Sequence, residues 1–289
     1  MTSGIIIINA YGVPEQSVRQ AERLKAEFAL LDCNVDIVRG RVAGIIGGEY
    51  YRDFKAADFI VYLDKDKYLS EALENLGARL FNSHAAIRVC DDKAKTCIAL
   101  AKAGIKVPDT IFAPVCYKAV PTDSGFLTGT AQKLGYPVVV KESYGSMGKG
   151  VFLARDYKEL VETEKNLQQK PHIFQRYLGK KKGEDTRVIV IGGRAVAAIK
   201  RKNETDFRSN VAAGGKGSAI TLTDAQRQTA ESAAKVLGLD YCGVDLLTGD
   251  SGEPVVCEVN SNAFFEEAEK VSGVNIAALY AKYILDSIK

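Results

Sequence analysis

The sequence of 289 residues predicts an α/β protein with α+β elements, built in three parts. Three observations carry that prediction. Residues 1–85 alternate short apolar strands with helical stretches, the rhythm of a small layer with a mostly parallel sheet. Residues 137–154, PVVVKESYGSMGKGVFLA, set two β-branched runs on either side of a glycine-rich loop. Residues 171–289 hold five strand-like runs and two helical ones.

Taken in order, strands are expected at Gly4–Asn9, Val35–Val38, Phe59–Leu63 and Arg79–Phe81, with a helix at Glu15–Leu31. The first strand runs into NAYGVP rather than G-x-G-x-x-G, so a dinucleotide-binding reading loses its main support and the ligand of this layer is not legible. Helical patterning returns from His84 to Ala103, and GIKVPDT breaks it at Gly104 and Pro108. Residues 106–170 are mixed. The last block has strands near 172–177, 187–191, 195–200, 243–247 and 254–260. Its helices are Asp224–Leu237 and a terminal one from Asn275, apolar at Ile276, Leu279, Tyr280, Tyr283 and Ile284.

Composition narrows the function. With 46% hydrophobic residues and 7 prolines, the chain has enough apolar surface for two or three domains, each expected to have its own core. A net charge of +3 is too mild to imply a nucleic-acid partner. The apolar run in MTSGIIIINA is too short for a signal segment or a membrane span, so the expected location is the cytoplasm. Six cysteines without a C-x-x-C pair fit reduced, mostly buried thiols. Two histidines, His84 and His172, leave little for imidazole metal sites or a Ser/His/Asp triad.

The loop with Gly145, Ser146, Gly148 and Gly150 joins strand to strand, so it reads as a hairpin flap rather than a P-loop, which opens a helix. Its free N–H groups could fold over phosphates, with Lys141 at the strand end; taken alone, the loop reads more readily as a plain mobile hairpin. Residues 241–262, YCGVDLLTGDSGEPVVCEVNSN, read as a second hairpin. Pairing centred on its turn sets Asp245 opposite Val256 or within a residue of it, able to share a face with Glu258 and Asn260. Two carboxylates and an amide form an all-oxygen cluster suited to magnesium or manganese; a solvated sheet face is the alternative, set against neighbours that are Gly, Val, Leu and Cys. Between the hairpins, Arg187, Arg201 and Arg208 open or close strands, where guanidinium forks suit phosphate or carboxylate.

In order and spacing, DDK at 91–93, VVVKESYGSMGKGV, FQRYL, GEDTRVIVIGG, AAIKR, DFRSN, GVDLL and EVNSN resemble the ATP-grasp superfamily, and within it the RimK-like glutamate ligases. The resemblance runs from about Asp92 to the C-terminus; the N-terminal part matches by rhythm. It implies an ATP-grasp fold with an N-terminal α/β domain at 1–90, a central flap domain at 91–174 and a C-terminal ATP-grasp domain at 175–289. The implied activity is ATP-dependent carboxylate-amine ligation through an acyl phosphate. Its partners would be a small-molecule, peptide or protein carboxylate acceptor and an amino acid or amine, with no nucleic acid or membrane, and the chain would be a homo-oligomer. By the same resemblance Lys93 and Lys141 would hold ATP phosphates under the Gly145–Gly148 loop. Gln175, Arg176, Tyr177 and Leu178 would line the adenine, Asp185 the ribose side, and Arg208 and Asn210 the phosphate end. Asp245, Glu258 and Asn260 would bind two divalent ions, Mg2+ or Mn2+. Arg187 and Arg201 would face the transferring phosphoryl group and the substrate carboxylate, and the cysteines, Cys242 and Cys257 included, would be core residues.

In one place the chain departs from the family. Where an S-P-G turn is usual after E-V-N, it has SNAFFEEAEKVSG, with Asn262, Ala263, Phe264 and Phe265 beside the implied acyl-phosphate site; Phe264 and Phe265 could equally anchor a short helix. The rival readings are a small-molecule phosphotransferase on the same nucleotide site and a nucleotide-binding protein without catalysis.

Overall fold

The computed structural model describes residues 2–12, 14–40, 54, 57–145, 148–179, 181–209 and 214–289; Ser146 and Asn210, both expected at the nucleotide, lie outside them. The first sheet has β1 (Ser3–Ile8), β2 (Asn34–Arg39), β3 (Phe59–Tyr62) and β4 (Leu80–Phe81), all parallel, in the order β2-β1-β3-β4. Against it lies α1 (Glu15–Leu30), whose buried residues Ser17, Gln20, Ala21, Leu24, Glu27 and Phe28 recur at the three- and four-residue spacing of one helix face. Asp66 caps α2 (Lys67–Asn75) by accepting from the N–H groups of Tyr68 and Leu69. The helical stretch expected from His84 to Ala103 is two helices, α3 (His84–Cys90) and α4 (Lys93–Lys102), because Asp92 leaves the helix to cap the second.

The second sheet is antiparallel: β5 (Thr110–Phe112), β6 (Val138–Glu142), β7 (Val151–Ala154) and β8 (His172–Arg176), in the order β5-β8-β6-β7. Helices α5 (Ser124–Leu134) and α6 (Tyr157–Leu167) cover one face, packing Leu127, Leu134, Leu160 and Leu167 on Val138, Val140 and Phe174. The expected hairpin is β6–β7, with Lys141 paired to Val151. Strand β8, expected to open the last block, instead pairs inside this sheet, between β5 and β6. We therefore set the division after β8, in the stretch beginning at Tyr177, rather than between residues 174 and 175.

The third sheet has the order β11-β10-β9-β12-β13 and comprises β9 (Glu184–Ile191), β10 (Arg194–Lys202), β11 (Lys216–Ala219), β12 (Tyr241–Thr248) and β13 (Pro254–Asn260). Its faces do different work. On one, Val188, Val190, Val244, Leu246, Val256 and Val259 pack under α7 (Asp224–Val236), α3 and α4. The other face is divided along the strands: Ile189, Ile191, Ile199 and Tyr241 lie in a core shared with α9 (Ile276–Ser287) and the N-terminal layer, while Asp185, Arg187, Arg201 and Asp245 occupy the opposite end. The short α8 (Glu266–Ser272) connects β13 to α9, and Phe265 just before it is buried at 2% exposure against Tyr241. No helix among the described residues is long and apolar enough to cross a membrane.

The second sheet keeps its own core, but the first and third parts share theirs, contrary to the expectation from chain length. Phe28, Phe59 and Phe81 of the first layer belong to the same apolar cluster as Ile189, Tyr241 and Tyr280 of the third. Cys90 and Leu100 of α3 and α4 sink into the opposite face of the third sheet. At the seam, buried Asn82 donates to the Tyr241 and Ser261 carbonyls at 2.8 and 2.7 Å and accepts from the Tyr241 N–H at 3.0 Å.

Asn82→Ala removes three buried hydrogen bonds and is expected to cost about 2–4 kcal/mol, read by urea denaturation; a change under about 0.5 kcal/mol would show that the seam carries no such load. In the second sheet, buried His172 lies 2.7 Å from Glu164, and although burial works against its charge, Glu164 outweighs burial and raises its pKa. A raised histidine stabilises fully below its unfolded pKa of about 6.5 and loses that contribution as pH rises through its folded value. The stability of His172→Gln is therefore expected to fall below wild type at pH 5 and approach it at pH 8, measured by denaturant titration at both.

Candidate active site

The polar end of the third sheet depends on its strand register. Strands β12 and β13 pair Gly243 with Asn260, Val244 with Val259 and Asp245 with Glu258, but Leu246 with Val256. Cys257 is the extra residue of a β-bulge. The expectation that Asp245 faces Val256 within one residue is corrected accordingly: without the bulge the count from the turn is wrong by one. The bulge also changes which side chains share a face. Val256 and Val259 both enter the core, whereas Cys257 and Glu258 both line a cleft, so Cys257 is not a core residue.

Asp245 is 3% exposed and engaged on both carboxylate oxygens. Arg187 reaches it with Nε at 2.7 Å and Nη2 at 2.8 Å, and Arg201 adds Nη2 at 2.9 Å. Arg201 also forks onto Asp185, with Nε at 2.7 Å and a second close contact through Nη2, and Asp185 accepts from the Ser209 hydroxyl as well. Burial would raise the pKa of Asp245, but Arg187 and Arg201 outweigh it and hold the carboxyl below its ordinary range. Asp185 goes the other way, pushed up by burial, with Arg201 offsetting only part and the charge of Asp245 adding to the rise. Burial likewise opposes the charge of Arg201, yet Asp245 and Asp185 raise its pKa.

Glu258 separates two clefts. The first, about 100 Å³, lies between the second and third sheets. It brings together Lys93, Lys141, Gly148, Asp185, Arg208 and Glu258, and, on the side where β8 ends, Gln175, Arg176, Tyr177 and Leu178. The flap is held at both ends of its glycine loop: Lys93 Nζ donates to the Gly145 carbonyl and Arg208 Nη1 to the Gly148 carbonyl, each at 3.0 Å. Lys93 Nζ is also 3.7 Å from Glu258. Buried Lys141 lies 3.6 Å from Cys257 Sγ; burial works against its charge, but Cys257 and Glu258 outweigh burial and raise its pKa. The second cleft, about 700 Å³, opens between the third sheet and the N-terminal layer and holds Arg187, Arg201, Glu258, Asn260 and Phe264.

Several expected residues stand in the clefts with their polar atoms otherwise engaged. Asp185, expected on the ribose side, gives its carboxylate to Arg201 and Ser209. Arg176 gives its guanidinium to Asp250 at 2.7 Å and its N–H to the Asp109 carbonyl at 2.9 Å. Gln175 is buried, donating to Thr110 Oγ1 at 3.0 Å, while its Oε1 has no partner among the described residues. Arg201 is 2% exposed, so of the two arginines Arg187 presents more of itself to the second cleft. The sequence reading missed Ser209, and it missed Asp206, which pairs with Arg208 at 2.7 Å. The signal for the latter is the two-residue spacing in DFRSN.

The donor set fits a hard divalent ion. Asp245 is held ionised and Asp245 Oδ1 accepts only one hydrogen bond, Glu258 is directly opposite it in the ladder, and the Asn260 amide has no partner among the described residues. Among the described residues no three His, Cys, Asp or Glu side chains group as a metal site, so a third protein donor would have to be the Asn260 amide.

The arrangement has the shape of an ATP-grasp protein. It superposes on D-alanine–D-alanine ligase from Bacillus anthracis with a TM-score of 0.75 and 20% identity, covering 100% of this chain and 96% of that one, a likeness of fold. The chain belongs to the RimK-like ATP-grasp family, whose profile matches residues 90–284. It is 36% identical over 227 residues to human N-acetylaspartylglutamate synthase A, covering 78% of this chain and 57% of that protein, so it spans little more than half the length of this relative. A probable alpha-L-glutamate ligase of Psychromonas ingrahamii is 36% identical over 227 residues, covering 76% and 72% respectively. ATP and divalent ions are general to this family.

Removing the negative charge at the centre of the clasp that Arg187, Arg201 and Asp185 form around Asp245 takes the anion from Arg187 and leaves Arg201 with Asp185 alone. Asp245→Asn is expected to destabilise the fold by about 3–5 kcal/mol, whereas Glu258→Gln, half-buried at the cleft edge, is expected to cost under about 1 kcal/mol. Equal losses for the two variants in urea titrations would count against the clasp.

Proposed function

We propose that the chain is an ATP-dependent carboxylate-amine ligase that forms an amide or peptide bond through an acyl phosphate. One observation carries this reading: Glu258 borders both the flap-covered cleft and the larger cleft beside it. A nucleotide whose γ-phosphate reaches Glu258 from one side would meet an acceptor carboxylate arriving from the other.

In this reading the acceptor carboxylate attacks the γ-phosphate, ADP leaves, and an amine then displaces phosphate from the acyl phosphate. Both steps gather negative charge on oxygen. Lys93 and Lys141 would bind the phosphates, and Arg208 with the Gly145–Gly148 loop would close over them. The main chain at Tyr177 and Leu178 would take the adenine edge. Arg187 would meet the transferring phosphoryl group, while Arg201 and Asp185 keep Asp245 and Arg187 in position. Asp245, Glu258 and Asn260 would hold two magnesium or manganese ions, which supply charge neutralisation at the phosphoryl oxygens. The closed flap excludes water that would hydrolyse the acyl phosphate. The names of the relatives favour L-glutamate as the amino acid joined and a small acidic molecule as acceptor. The proposal sets the reaction in the cytoplasm, on a homo-oligomer.

The test is trapping. With ATP, magnesium and hydroxylamine, a panel containing citrate, N-acetyl-L-aspartate and L-glutamate is expected to yield a hydroxamate from at least one member. Glu258→Gln is expected to lower that rate at least about 100-fold while leaving the chain folded. ATP consumption without any hydroxamate would favour phosphoryl transfer to a hydroxyl instead.

A further inference from the structure

The N-terminal layer brings two polar side chains to the place where parallel sheets take ligands. In the order β2-β1-β3-β4 the chain runs from β1 to one side and then crosses to the other, so the topological switch point lies between β1 and β3. Open parallel sheets bind ligands in the crevice beyond the carboxyl ends of the strands at that point. The residues that follow those two ends are Asn9, just after β1, and Asp64, two residues after β3, and both line the larger cleft facing Arg187 and Glu258.

Asp64 is 9% exposed. Asn9 Nδ2 donates to both of its oxygens at 3.1 Å, and the Lys65 N–H donates to Oδ1 at 2.7 Å. The Asn9 amide cannot turn away without losing its other bond, since Asn9 Oδ1 accepts from the Tyr11 N–H at 3.0 Å. Among the described residues no cation pairs with Asp64. The nearby ammonium groups of Lys65 and Lys67 are both given to Asp91, at 2.9 and 3.2 Å. A carboxylate taken this far from water without a cation is costly unless something else supplies the charge. Asp64 Oδ2 accepts a single hydrogen bond, which leaves it capacity on the cleft side.

We propose that Asn9 and Asp64 form the subsite for the ammonium group of the incoming amino acid, with Asp64 as its counter-charge and Asn9 as the residue that positions Asp64. The inference rests on the ligase reading and adds to it the side from which the amine substrate enters: from the N-terminal layer, across the cleft from the site of phosphoryl transfer. It also identifies the amine substrate as one recognised while positively charged, with Asp64 the group placed to take the proton that the ammonium must lose before its nitrogen attacks the acyl phosphate, so that a blocked or neutral analogue is rejected before chemistry.

The experiment titrates the intact chain, with ADP and magnesium present, against the twenty free amino acids and their Nα-acetyl derivatives, read by thermal shift and then calorimetry. At least one free amino acid is expected to bind, its acetyl derivative on the order of 100-fold more weakly. Asp64→Asn is expected to bring the free amino acid down to the level of the acetyl derivative with ADP affinity unchanged, and ADP affinity reports that the variant is folded. Should Asp64→Asn lose ADP as well, Asn9→Ser decides, with amino-acid binding expected to weaken about 10-fold. The proposal is overturned if no free amino acid binds, if the acetyl derivative binds equally well, or if the deciding variant binds as wild type. Failure of the ligase reading shows separately, as absence of hydroxamate from the wild-type chain.

Discussion

The buried ionised carboxylate of Asp245 is the constraint around which the rest is arranged. A lone carboxylate at that depth would take up a proton or pull the sheet apart. Two guanidiniums keep it charged, and each then needs its own setting: Arg187 is directly across the ladder from Asp245, while Arg201 reaches it from the next strand and requires Asp185 as a second anion. Three adjacent strands, β10, β9 and β12, must therefore keep one register. Charge is conserved across the cluster as a unit, two positive and two negative groups.

The same strands carry the apolar half of that face, and this is why the N-terminal layer cannot be treated as an appendage. Ile189 and Arg187 are two residues apart on β9, so the surface that seats Phe28 and Phe59 is continuous with the one that holds the arginines. Displacing the first layer would open the larger cleft and uncover apolar surface in one movement. The Asn82 hydrogen bonds, made to β12 and to the end of β13, sit where those two consequences meet.

Most of the architecture was legible in the sequence because its signals are local. The apolar runs GIIII and VIVI, glycines in the flap, and Asp or Ser ahead of helices each act within a few residues. The signals that failed are those that depend on distant partners. Strand β8 reads the same whichever sheet it joins, and its place beside β5 is decided by Ile111 and Phe174 meeting across 63 residues of chain. Of the candidate site, the sequence carried the nearness of Asp245, Glu258 and Asn260 in one hairpin, where the register pairs Asp245 with Glu258 and Gly243 with Asn260. The engagement of the polar side chains was not legible: nothing in the string states that Asp185 is occupied by Arg201 and Ser209, or that among the described residues Asp64 is held by the Asn9 amide and no cation. The departure at Asn262–Phe265 resolves in part, since Phe265 is core and Phe264 borders the cleft.

The bulge at Cys257 has a consequence for how this strand tolerates change in length. Upstream of it, even-numbered positions of β13 point into the core; downstream, odd-numbered ones do, and the reversal falls between Val256 and Glu258. Deleting Cys257 would restore simple alternation with Val256 and Val259 still inside, whereas deleting a regularly paired residue on either side of the bulge would exchange inside for outside along that half of the strand. Adding a residue to the turn at 249–253 would leave that parity intact and only lengthen a loop. The hairpin is thus divided into a segment where spacing is free to drift and one where it is quantised, and the residues closest to the chemistry lie in the second.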